Sequence, residues 1–115
     1  MADLFGDKTF DATDASVARA MGWQSVNSNE LGQSVADRQH AEQWIKVVEA
    51  QEKAKLKGEP ANVQEREARC SEAYRLALEA YRDASAHEQK LRYTWEFAQT
   101  VADVWRTKCA NERKV

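Results

Sequence analysis

Residues 70–109 read CSEAYRLALEAYRDASAHEQKLRYTWEFAQTVADVWRTKC, and the spacing within them decides the fold class. From Cys70 one set of residues steps alternately by four and three: Cys70, Tyr74, Ala77, Tyr81, Ala84, Glu88, Leu91, Trp95, Ala98, Ala102, Trp105, Cys109. This is a heptad seam, the pattern of a helix that buries one stripe against another helix, and Glu88 is its only charged member. Ala68, Ala73, Leu78, Ala80 and Val101 broaden the stripe, and Glu65 with Arg69 and Glu88 with Arg92 form i,i+4 pairs beside it. No glycine or proline follows Pro60, so the spacing predicts one helical segment over residues 61–112, about 75 Å long at 1.5 Å per residue.

Two all-α architectures fit. In the first, a helical hairpin carries one very long, coiled-coil-like C-terminal helix. In the second, that helix breaks near Ser85, where Ser85-Ala86-His87-Glu88 matches a capping box, and the result is a three-helix bundle. The heptad register crosses Ser85 without a slip, which favours the continuous helix.

Upstream, the reading gives a first long helix from about Ser34 to Lys57, with Ala41, Trp44, Ile45, Val48 and Leu56 as its apolar face. Glu42 with Lys46, and Glu49 with Lys53, lie at i,i+4 on its charged side. Gly58 and Pro60 end it, and the short connection implies an antiparallel partner. Residues 1–33 read as an irregular segment: N-cap candidates from Asp11 to Asp14, a short helix from Ala15 to Met21 stopped by Gly22, then a Ser-, Asn- and Gly-bearing loop from Gln24 to Gln33. Phe5, Phe10 and Trp23 are expected to dock on the helices. The expected division is therefore 1–33 and a hairpin or bundle domain over 34–115.

A first helix of this length covers only half of the long one. Leu91, Trp95, Phe97, Val101, Val104 and Trp105 then lack a cover, and the simplest cover is a second copy of the chain. The expected oligomer interface is Tyr81, Leu91, Trp95, Ala98, Val101, Ala102 and Trp105.

The formal net charge is -2, which excludes the basic balance of a protein that holds nucleic acid by charge alone. Neither a signal peptide nor a membrane-spanning run is legible, so a cytoplasmic location is expected. His40 and His87 do not converge with other ligands, Cys70 and Cys109 have no metal or redox spacing, and there is no phosphate-binding glycine loop. No metal, cofactor or catalytic residue is expected. What remains is a non-enzymatic protein-interaction module, with a nucleic-acid accessory as the alternative, acting through the C-terminal basic cluster of Arg106, Lys108, Arg113 and Lys114.

Two resemblances add to this reading. Asp3, Leu4 and Phe5 resemble the short motif by which bacterial proteins dock on the replicase sliding clamp, where a Leu-Phe pair fills an apolar pocket; Met1 stands where that motif has Gln. The tail Val104-Trp105-Arg106-Thr107 with Ala110-Asn111-Glu112-Arg113 resembles the ends of small helical proteins of bacteriophages. That resemblance implies an accessory protein of the host cytoplasm, acting as inhibitor or adaptor of a larger host or phage complex.

Overall fold

The computed structural model describes residues 13–113, which form three helices: α1, Asp14–Ala54; α2, Ala61–Arg69; and α3, Glu72–Arg113. The fold is all-α, a helical hairpin whose C-terminal helix is very long. The chain divides into two compact units, one made of residues up to Leu31 with those from Gln89 onward, the other of Gly32–Glu88. Both α1 and α3 contribute to each unit.

The first helix differs most from its expectation. It begins at Asp14, capped by Thr13, whose Oγ1 accepts the Ser16 N–H at 3.2 Å. It then continues through Gly22, the Ser- and Asn-rich stretch and Gly32 to Ala54. Local propensity argues against helix there, and tertiary burial overrides it. In α1, Val17, Ala20, Gln24, Asn27, Leu31, Ser34, Arg38, Ala41, Ile45, Val48 and Glu52 step by three and four, and all are buried or half-buried. This is a second heptad seam, concealed because Gln24, Asn27, Ser34 and Arg38 occupy its middle. The expected division at residue 33 therefore falls inside a helix. Trp44, expected on the apolar face, is 42% exposed and stands beside the seam rather than on it.

The long C-terminal segment is interrupted, but at Cys70–Ser71 rather than near Ser85. Ser71 Oγ donates to the Ala68 carbonyl at 2.7 Å and accepts the Tyr74 N–H at 3.2 Å, capping α3 and closing α2 with one side chain. Carried upstream, the heptad of α3 would place Glu67 and Cys70 on the seam; the break leaves both exposed and turns Ala68 inward instead, 1% exposed. From Tyr74 to Cys109 every seam member foreseen in the sequence is buried or half-buried. Between α1 and α2 the chain reverses through Gly58, whose φ of 105° suits a residue without Cβ, and Gln64 Nε2 donates to the carbonyls of Leu56 and Glu59.

In the unit that holds the chain's far ends, Val17, Ala20, Ala98 and Val101 form the core, with Trp105 packed on it. The other unit buries Ala41, Val48, Ala68 and Ala77. The small residues allow close helix approach.

Three substitutions test these boundaries. A Cβ at Gly22 or Gly32 meets nothing within 4 Å, so Gly22→Ala and Gly32→Ala should each raise stability by about 0.5–1 kcal/mol in urea unfolding. If α1 stopped at Gly22 in a left-handed cap, the first change would destabilise. Ser85 Oγ is buried without a hydrogen-bond partner. Ser85→Ala should thus be neutral or stabilising by up to about 1 kcal/mol, whereas a helix start there would make it costly.

Candidate interaction surface

The positions of each seam can be lettered a to g, with a and d facing the partner helix; in an antiparallel pair the two g flanks meet on one side and the two e flanks on the other. In the unit of residues 32–88, Arg38 and Glu88 both hold a positions. Glu88 is 4% exposed, and Arg38 Nε donates to its Oε2. Arg38 also reaches Glu42 at 3.4 Å. A partner of the one charged residue in the α3 seam is therefore an arginine of α1 in the same chain. This hydrogen bond, with the charges of Glu88 and Glu42, raises the Arg38 pKa, so the guanidinium is charged at every physiological pH.

Around this pair the two flanks differ. On the e side, α2 lies against α1 through Arg69 and Glu49 at 3.4 Å, and Lys53 reaches the same carboxylate at 3.1 Å. The hydrogen bond from Lys53 and the charges of Lys53 and Arg69 together outweigh burial and hold Glu49 below its ordinary pKa. The g side has no such cover among the described residues. Trp44 at g, Val47 at c and Leu76 at c are 42%, 42% and 51% exposed. His40 stacks on Trp44, ring centroids 6.4 Å apart.

The other unit carries most of the oligomer interface expected from the sequence, and there several of its members are covered within one chain. Leu91, Ala98, Val101 and Ala102 are buried in the single chain, because the early start of α1 supplies the cover that a second copy was to provide. Trp95 is half-buried, edge-on to Trp23 at 6.3 Å, and its carbonyl accepts Gln24 Nε2 at 3.2 Å. Trp105 is half-buried and donates its indole N–H to Asp14 at 2.6 Å. Tyr81, in the 32–88 unit, is half-buried on the seam.

Of the basic cluster, Arg106 is exposed and engaged by Asp103 at 3.2 Å, while Lys108 and Arg113 are exposed on the same helix. Lys114 and the clamp-like Asp3, Leu4 and Phe5 lie outside the described residues, as do Phe5's fellow aromatic Phe10 and the first N-cap candidates. Cys70 and Cys109 are free thiols. Among the described residues no three His, Cys, Asp or Glu side chains converge as metal ligands, and no helix is long and apolar enough to cross a membrane.

No family of proteins matches this chain, and neither a curated protein nor a solved structure matches it.

The sequence reading missed Trp44, Val47 and Leu76 because none of them lies on a seam. The missed role of Arg38 had a signal, the 4-3 frame of α1, which emerges when polar residues are allowed on it.

Two solution measurements follow. Arg38→Leu and Glu88→Leu should each destabilise the fold more than the double substitution does, because either single change removes one member of the pair and leaves the other charge in the seam. Additive effects in the double-mutant cycle would contradict the pairing. Glu49, and Glu72 through its hydrogen bond with Arg75, are held below the ordinary glutamate pKa. Both therefore contribute stability above that ordinary value and lose it as pH falls through the lowered values. The urea midpoint should drop below about pH 4.5, and Glu49→Gln should flatten that drop.

Proposed function

We propose that this protein is a non-enzymatic protein-interaction module, an adaptor or inhibitor of a larger complex, whose working surface is a flank of the hairpin rather than its seam. One observation supports this most: the seams are buried within the chain, while Trp44, Val47 and Leu76 beside them remain exposed. Single exposed apolar side chains are ordinary on a protein surface; a tryptophan, a valine and a leucine exposed in one unit offer a partner apolar contacts. The resemblance of the tail to phage proteins supports a small accessory protein as the setting. The basic cluster supports the nucleic-acid reading less, since Asp103 already engages Arg106.

Affinity capture from the source cell tests the reading, comparing the wild type with Trp44→Glu and with Arg106→Ala plus Lys108→Ala. All the changed residues are exposed, so the fold should survive, as circular dichroism can verify. A protein recovered with the wild type should be lost with Trp44→Glu and retained with the basic-cluster variant. Equal recovery with Trp44→Glu would contradict the assignment of the flank, and salt-sensitive nucleic acid lost only with the basic-cluster variant would establish the alternative.

A further inference from the structure

The C-terminal half of α3 carries a strip of exposed apolar side chains that a single helix defines. From Lys90 to Asn111 the c and f positions are all exposed and hold no Asp or Glu. Tyr93, Phe97 and Val104 among them are 63%, 39% and 41% exposed. The three lie within about 40° of arc on one helix, so they share a face however α3 packs against α1. Lys90 stands at one end of this strip and Lys108, at the adjoining g position, at the other; neither makes an ion pair among the described residues. The nearest carboxylates, Glu96 and Asp103, hold b positions along one border. Asp103 is already engaged by Arg106 at 3.2 Å and by Gln99 at 3.1 Å.

The residues before Thr13 suit that strip in tether, reach and chemistry. They join the described chain at the end of the strip, because Thr13, Asp14 and Ala15 line one cavity with Trp105, Lys108 and Cys109. Along the axis of α3, Val104 lies about 6 Å from Lys108, Phe97 about 17 Å and Tyr93 about 23 Å, at 1.5 Å per residue. An extended segment of 12 residues spans up to about 40 Å. Phe10 can thus reach Val104, and Leu4 and Phe5 can reach Phe97 and Tyr93. The segment supplies these three large apolar side chains, and its acids Asp3, Asp7 and Asp11 outnumber its one cation, Lys8. Its sign is therefore opposite to that of the lysines at the two ends of the strip. A second copy suits the strip less well. Two-fold related faces would set lysines against each other with no carboxylate on the strip to balance them. It would also compete with a segment that its tether holds at an effective concentration in the millimolar range.

We infer that residues 1–12 fold back along the outer face of α3 and cover Tyr93, Phe97 and Val104, with their carboxylates toward Lys90 and Lys108. The segment is a strap that shields this apolar face from other chains until it is displaced, and it is independent of the flank proposed above.

A nitroxide attached at Glu96→Cys, on the border of the strip, tests this in the full chain with Cys70 and Cys109 replaced by serine. The amide NMR signals of Leu4 to Phe10 should be lost to paramagnetic broadening and return when the label is reduced. Tyr93→Glu with Phe97→Glu should restore them with the label still oxidised, and Lys90→Glu with Lys108→Glu should weaken the broadening. All four changed residues are exposed, and circular dichroism checks that the helices survive. Signals untouched by the label, or broadened equally in either variant as a merely tethered segment would be, overturn the inference. A mixture of isotope-labelled chains without nitroxide and unlabelled chains with it distinguishes the source of the cover. Broadening confined to nitroxide-bearing chains supports the strap, whereas broadening across the mixture assigns the cover to a second copy and overturns it.

Discussion

A carboxylate carried into a helix seam must meet a cation there or give up its charge. Glu88 is such a carboxylate, and Arg38 is a cation that meets it there. Because both occupy a positions, the pair permits only the alignment of α1 and α3 that places the two side chains in register. The 4-3 steps along each helix then bring Ala41, Ile45 and Val48 of α1 and Ala77, Tyr81 and Ala84 of α3 onto one seam. A buried ion pair contributes little net stability compared with an apolar pair of the same volume. Its value here is selective, since a slip by one turn would strand both charges, and the alanine-rich seam around it would penalise such a slip only weakly. Polar residues have a similar part in the other unit, where Gln24 bonds to the Trp95 carbonyl and to Gln99.

The same polar residues explain what could and could not be read in advance. The α3 seam was legible from Tyr74 to Cys109 because its members are apolar apart from Glu88. The α1 seam was not, because a count of apolar residues finds Val17, Ala20 and Leu31 separated by Gln24 and Asn27, with Gly22 and Gly32 as apparent stops. Burial of those polar side chains against α3 holds the helix together where its own propensity is poor. The break at Ser71 was missed for a related reason. It has no glycine or proline; it leaves Glu67 exposed off the seam and has a serine placed to cap the new start.

From this follows the change in where function is sought. With a first helix of 24 residues, the far half of α3 needed a second copy. With α1 starting at Asp14, that half is covered, and the surface left for a partner is the flank of Trp44, Val47 and Leu76. No seam pattern marks that flank in the sequence. It arises because g and c positions of α1 and α3 carry large apolar residues that neither seam buries. Fold and candidate site were thus legible to different degrees: a seam is a property of one helix, a flank a property of two.

The central claim is that α1 covers α3 within one chain, and intrachain cross-linking tests it most directly. With Cys70 and Cys109 replaced by serine, Gln24→Cys and Gln99→Cys place thiols on side chains that approach within 3.4 Å in the native chain. A short bismaleimide should close them within a single chain, giving a product of monomer mass whose yield is unchanged by tenfold dilution. Covalent dimers that vanish on dilution, or no closure at all, would contradict the account and return the far half of α3 to a second copy.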